Sequence, residues 1–341
     1  TLTTVHLDHL LSAYLERTVY HLPTQLKGLV ISNMKSSHSP IPPVSLGRLT
    51  QLVNLHLRTE IVWDWGALLH LVPQLETLWL NVDHVRSMTT WQGTSTLRSL
   101  TLHNVSHTSD VLRALTNMPA LTHLAFYRPL LSLDFHLLLP AVAAMQNLET
   151  FTLASTGLNL PIRVPDWLSS LPTSLQSLTL HSSIQVDQGW ACLAQFAQLT
   201  SLHLELQEWS SFDGLWPNLP LSLVRLTLKG KGMTGEWLDS IPILPHLTHL
   251  SLPEKRAFTP KQHASHSELV KAYQYLFYKM PALVSLERDE YYSVREEWIV
   301  MQQHIKSLPL TFWATSHLHS DKAQFLAKLR FVRMAAELHK S

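Results

Sequence analysis

Six histidines stand at alternating positions in or directly after short apolar segments. His56 lies in L-V-N-L-H-L, His123 in L-T-H-L-A-F, His203 in L-T-S-L-H-L and His249 in L-T-H-L-S-L, while His103 and His181 directly follow L-R-S-L-T-L and L-Q-S-L-T-L. Imidazole can bind a metal, relay a proton or carry a pH-dependent charge near neutrality. A zinc centre needs several converging ligands, and neither H-E-x-x-H nor C-x-x-C occurs among the 21 histidines and the single cysteine. That cysteine, Cys192 in G-W-A-C-L-A, is read as a small buried hydrophobe, not a nucleophile. Carboxylates are spread along the chain without an evident close pair, there is no G-x-S-x-G, and G-K-G at 230–232 lacks the Ser/Thr of a phosphate loop. These observations predict no catalytic residue, no metal and no cofactor.

The elements that place the histidines are repeats. The pattern L-x-x-L-x-L recurs at 26–31, 52–57, 75–80, 97–102, 121–126, 148–153, 175–180, 199–204, 223–228 and 247–252, with steps of 22 to 27 residues. A weaker opening copy, L-T-T-V-H-L, occupies 2–7, and a degenerate one, L-V-S-L-E-R, occupies 283–288. Each copy alternates apolar with polar residues, as a short strand with one buried and one wet face does. No single copy can hide its own leucines, so the copies must stack. Between them, V-P-Q, M-P-A, L-P-H and M-P-A form turns before strands, and Asp64, Ser109, Asp166 and Asp187 open short helix-like stretches. Trp65, Trp167, Trp190 and Trp237 stand near these openings and are read as wedges between the return segments.

The repeat resembles the leucine-rich-repeat family, in the intracellular type with a partly helical convex side, over residues 2–288. The resemblance implies an α/β fold: a solenoid with a curved parallel β-sheet on its concave side and helices or irregular segments on the other. It also implies a non-enzymatic protein-protein interaction module that holds its partner on the concave face, as substrate receptors of ubiquitin ligases do. One family feature is missing. Three residues after the last strand leucine, where the family places Asn, Cys or Thr, the chain has Met34, Glu60, Asp83, Val105, Pro129, Thr156, Ser183, Gln207, Lys231 and Lys255, of which only Thr156 and Ser183 fit. The usual asparagine ladder is therefore not expected.

The wet positions of successive strands form columns. In the first half they include His56 and Arg58, Trp79 and Asn81, His103, then His123 and Tyr127, with His181 further on. In the second half they include His203 and Glu205, then Arg225 and Lys229. Ser and Thr fill much of the remainder, as on any hydrophilic sheet. Trp79 and Tyr127 would anchor a contact surface, because rigid aromatics among small polar residues make recognition patches.

Residues 1–253 carry 13 Lys+Arg against 16 Asp+Glu, and residues 254–341 carry 13 against 9, so charge density rises after the last regular repeat. We read 1–288 as a solenoid of about 11–12 repeats and 289–341 as a helical C-terminal cap, with helices over 293–305 and 320–338. The net charge of +1 gives no electrostatic reason to expect nucleic acid, for which Arg58, Arg225, Lys229 and Lys231 make only a thin patch. No small-molecule substrate is expected, nor a membrane span, since no long uncharged apolar run occurs. One cysteine fits a reducing, intracellular setting, in the cytoplasm or an organelle, or a protein that simply needs no disulfide staples. The first residues already read as structure, so we expect that a targeting segment or another domain once preceded Thr1. A structural subunit of a large organellar or cytoplasmic assembly is the alternative function.

Overall fold

The computed structural model describes residues 3–9, 12–34, 44–59, 65–81, 96–104, 108–127, 135–154, 168–181, 190–205, 212, 214–229, 240–252, 278–290 and 311–316. The chain falls into two compact units, Thr1–Leu160 with Ser170–Ser183 and Pro161–Ser169 with Ile184–Ser341. Unit one carries strands β1 (Thr4–Asp8), β2 (Gly28–Met34), β3 (Asn54–Thr59), β4 (Thr77–Asn81), β5 (Ser99–His103), β6 (His123–Tyr127), β7 (Thr150–Ala154) and β8 (Ser177–His181). Unit two carries β9 (Ser201–Glu205), β10 (Arg225–Lys229), β11 (His249–Leu252), β12 (Ser285–Glu290) and β13 (Thr311–Ser316).

Within each unit the strands are parallel and follow chain order. Register sets leucine beside leucine: Leu55 pairs with Leu78, Leu78 with Leu100 and Leu100 with Leu124 in unit one, and Leu202 with Leu226 in unit two. These inward residues are 0–1% exposed. Each leucine so buried contributes about 1.5–3 kcal/mol. All ten clear L-x-x-L-x-L copies behave this way; in the opening copy Val5 and Leu7 are only half-buried.

The turn that delivers each strand is local chemistry. Leu75, Leu121, Leu247 and Leu283 each donate their amide to the carbonyl three residues back, on Val72, Met118, Leu244 and Met280, at 3.1–3.3 Å. The residue after each acceptor is a proline (Pro73, Pro119, Pro245, Pro281), whose ring pre-sets the second position of such a turn. The acceptor residue is itself fully buried, so the turn doubles as a core plug.

The return segments are short. Unit one has α1 (Ser12–Tyr20), α2 (Trp65–Leu71), α3 (Thr108–Leu115) and α4 (Phe135–Ala143), with a 3-10 turn at Val44–Arg48. Unit two returns through 3-10 turns at Trp190–Gln195 and Trp216–Asn218. The helix expected to open at Ser109 begins at Thr108, and that expected after Asp64 begins at Trp65. The stretch following Asp187 tightens to 3-10 instead. Trp190 is 2% exposed, a wedge as the sequence suggests. Trp167, Trp237 and the helices read at 293–305 and 320–338 lie outside the described residues. Strand β13 pairs with β12 inside the segment read as a cap, where the sequence pattern suggested no strand.

Of the family's asparagine positions only Met34 is described, as the last residue of β2. Among the described residues, side-chain hydroxyls on the leading side of the strands link one repeat to the next. Thr96, Ser174 and Ser222 each immediately precede the first leucine of a repeat. Ser174 and Ser222 Oγ donate to the carbonyls of Leu148 and Leu199, the first leucines of the repeats before, at 2.8 and 2.7 Å, and Thr96 Oγ1 lies between the carbonyls of Pro73 and Leu75, at 2.8 and 3.0 Å.

Candidate functional site

The outward side chains of β1–β8 form three columns. The middle one reads His6, Val30, His56, Trp79, Thr101, Ala125, Thr152, Thr179. The trailing one reads Asp8, Ser32, Arg58, Asn81, His103, Tyr127, Ala154, His181. His6 is not among the wet-face residues named from the sequence; its place in the weak opening copy L-T-T-V-H-L was the available signal.

Four of the sequence-predicted residues form one row. The His56 and Trp79 ring centroids are 3.6 Å apart, Trp79 and His103 are 4.7 Å apart, and His103 stacks on Tyr127 at 4.5 Å with planes inclined by 16°. The row crosses β3, β4, β5 and β6 and changes column between Trp79 and His103, because Trp79 pairs in register with Thr101 and not with His103. All four rings are half-buried. Register sets Val30 beside His56 at one end and Ala154 beside Tyr127 at the other. Only His103 and Tyr127 are stacked face to face; the His56–Trp79 and Trp79–His103 contacts are tilted, at 39° and 47°.

Burial first, then the neighbouring His6 and Arg58, pushes the His56 imidazole below its ordinary value. Arg58 is exposed and pairs in register with Asn81, whose Oδ1 accepts 2.8 Å from Asn104 Nδ2. Asn104 has φ of 56°, and its amide donates to Tyr127 O at 3.0 Å, carrying the ladder one residue past β5. This left-handed position suits asparagine better than most residues.

His123 stands apart from the row, in the leading column of β6. Thr122 Oγ1 lies 3.1 Å from Arg98 O and 2.7 Å from His123 Nδ1. A hydroxyl has one proton; given to the carbonyl, it makes Nδ1–H the donor to Oγ1 and leaves Nε2 as the acceptor at the surface. Thr248 and His249 repeat the arrangement in unit two, at 3.1 and 2.8 Å. His181, on β8, is separated from Tyr127 by Ala154. Thr152, expected on the wet face, is only 8% exposed.

In unit two, Thr227 pairs in register with His203, and Lys229 with Glu205, opposite charges on adjoining strands. Arg225 pairs with Ser201 and His249 and is exposed. The twelve predicted residues thus divide between the faces of two units, and one group of four is joined by direct ring contacts.

Among the described residues no group of three or more His, Cys, Asp or Glu side chains could hold a metal ion. Cys192 is half-buried, and burial pushes its thiol up, away from the thiolate that a nucleophile needs. One further motif, G-K-G-M-T-G at 230–235, has the glycine spacing of a dinucleotide-binding turn and follows β10. It sits in a 24-residue repeat like its neighbours, shorter than the ~30-residue strand–helix–strand unit that carries that fingerprint, and lies outside the described residues. No described helix is long and apolar enough to cross a membrane.

A parallel sheet built one strand per repeat, with leucine registered on leucine and a polar outward face, defines a leucine-rich-repeat solenoid. No family model and no curated protein sequence matches the chain. Among solved structures it is similar to the crystal structure of an internalin (inlF) from Listeria monocytogenes str. 4b F2365. The two share 19% identity at a TM-score of 0.51, over 93% of this chain and 82% of the other. That likeness bears on the fold alone.

Proposed function

We propose that the chain is a non-enzymatic interaction module of the intracellular leucine-rich-repeat type that holds a protein partner on the polar, concave face of its sheet. The observation that carries this reading is the row His56–Trp79–His103–Tyr127. A tryptophan and a tyrosine are held there by neighbouring rings on a face that also carries Ser, Thr and Asn side chains. Rigid aromatics of this kind lose little entropy on binding and dominate interface energetics. The raised Cys192 thiol adds nothing that favours chemistry over binding.

Affinity purification of the full-length native protein, with Trp79→Ala and Tyr127→Ala beside it, tests the reading. Partners lost from both variants while each remains folded, with only a small drop in melting temperature, support it. Partners kept by both variants would move the interface off this face. The partners recovered also separate a substrate receptor, which would bring a ligase adaptor and substoichiometric clients, from a structural subunit, which would bring a fixed stoichiometric set.

A further inference from the structure

Trp79 on β4 and Tyr127 on β6 are the two large rings of the row, and each keeps a polar atom that the fold does not use. The indole touches the His56 and His103 rings, and the phenol stacks on His103. Among the described residues neither the indole Nε1–H nor the phenol Oη–H has a hydrogen-bond partner. Both residues are half-buried, so each offers solvent some apolar ring surface together with a donor.

The ring planes leave seats beside these two residues. Trp79 is tilted by 39° to His56 and by 47° to His103, so a wedge opens on each side of the indole. His103 lies flat on one side of Tyr127, and on the other side the in-register neighbour is Ala154. Thr101 and Ala125 continue the middle column past Trp79, so small half-buried side chains floor the strip beside both rings. The spacing of the seats is specific. With His103 at 4.7 and 4.5 Å between them, the Trp79 and Tyr127 centroids are no more than about 9 Å apart, the length of one polyproline II turn of three residues at ~3.1 Å each. Their strands, β4 and β6, lie two spacings of ~4.8 Å apart, which gives the same distance. An extended strand repeats a side every ~6.7 Å and an α-helix turns every ~5.4 Å, so neither returns a side chain to both rings in one repeat.

Resting on the reading that this face binds protein, we propose that its ligand is a proline-rich segment in the polyproline II conformation, lying across β4–β6. Two prolines three residues apart sit against it, one on Trp79 and one on Tyr127. A pyrrolidine ring is a compact apolar body that packs on indole and phenol. The polyproline backbone has no internal hydrogen bonds, so its carbonyls meet the Nε1–H and Oη–H donors. Being formed before it binds, such a segment loses little entropy on docking. It also asks for no counter-charge, and the strands β4, β5 and β6 themselves contain no Lys, Arg, Asp or Glu.

The test uses the full chain and a fluorescein-labelled oligoproline of about nine residues, three turns of the helix. Fluorescence anisotropy compares it with a Gly-Ser peptide of the same length, which is a flexible coil. Oligoproline should bind on the order of tenfold tighter than that control. Tyr127→Phe keeps the ring and removes only the donor, so it should weaken binding several-fold with the melting temperature unchanged. Ala154→Leu, at an outward half-buried position, fills the seat beside Tyr127 and should weaken binding on the order of tenfold.

Equal affinity for oligoproline and the Gly-Ser peptide overturns the proposal. So does unchanged binding in both Tyr127→Phe and Ala154→Leu, which would seat the peptide away from the rings. Tighter binding of a thymidine oligonucleotide of the same length would overturn the choice of protein. The native partner separates the two levels. If its retention is lost in Trp79→Ala while oligoproline does not bind, the proline-rich ligand falls and the protein-binding face stands. If retention ignores both Trp79→Ala and Tyr127→Ala, the face itself falls.

Discussion

His103 lies on Tyr127 with ring centroids 4.5 Å apart and planes 16° from parallel, joining the ends of β5 and β6 through side chains as well as backbone. Aromatic pairs in such contact are worth about 0.5–1.5 kcal/mol beyond the area they bury. A double-mutant cycle of His103→Ala and Tyr127→Ala, read by chemical denaturation, should return a coupling in that range. Zero coupling would mean that the stack is incidental to the row. Against the native partner Tyr127→Ala should cost about 2 kcal/mol or more if the row anchors the interface.

His56 gives the face a pH signature without any ligand. Its folded-state value lies below the unfolded one because burial, His6 and Arg58 all oppose the charged form. The folded state therefore binds fewer protons than the unfolded state between the two values, and stability rises with pH across that window. The contribution is fully present above the ordinary value of about 6.5 and is lost as pH falls through the lower folded-state value. Denaturation midpoints followed downward from neutrality should drop less steeply in His56→Gln than in the parent. An unchanged slope would assign the acid sensitivity to other groups.

Most of the fold is legible in the sequence because its physical cause is periodic. Leu55, Leu78, Leu100 and Leu124 are spaced by the repeat and end up registered on one another, so finding the repeat amounts to finding the sheet. The outward columns follow from strict alternation, which is why Trp79, His103 and Tyr127 could be placed on one face. Their joining into a row could not be read off. Trp79 and His103 belong to different columns, and only the reach of the indole ring brings them within 4.7 Å. The hydroxyl links were invisible for another reason: Thr96, Ser174 and Ser222 look like ordinary polar residues ahead of a leucine, and only the stacking distance makes them bonds. Strand β13 was hidden because T-F-W-A-T-S carries no leucine repeat.

Those hydroxyl links predict a small, uniform effect. Ser174→Ala and Ser222→Ala each remove one partly buried side-chain donor and leave a backbone carbonyl, on Leu148 or Leu199, short of one partner. The cost should be about 1 kcal/mol each by denaturant titration. Threonine at the same places should restore most of it, since the hydroxyl is kept. Failure of Ser222→Thr to recover would point to the methyl crowding the turn and not to the lost bond.

The sharpest test of a stacked architecture compares an interior strand with an outer one in the same unit. Leu100 on β5 is 0% exposed, with Leu78 and Leu124 in register on either side. Leu100→Ala should cost about 2–5 kcal/mol, because a cavity opens that two neighbouring repeats cannot both fill. Val5 faces the same way on β1, is half-buried, and has β2 alone as its partner strand in the unit. Val5→Ala should therefore cost roughly 1 kcal/mol or less. Gly28 adds a third point: a Cβ there would lie 2.9 Å from Thr4 Oγ1 and 3.1 Å from Thr4 Cγ2, so rotating Thr4 relieves one contact by remaking the other. Gly28→Ala should loosen β1 in particular, with faster amide exchange at Val5 and Leu7 and little change at Leu100. The pairing Thr4→Ala should restore protection, because it removes both crowding atoms. Equal losses at Leu100 and Val5 would contradict the nearest-neighbour stacking on which the repeat depends.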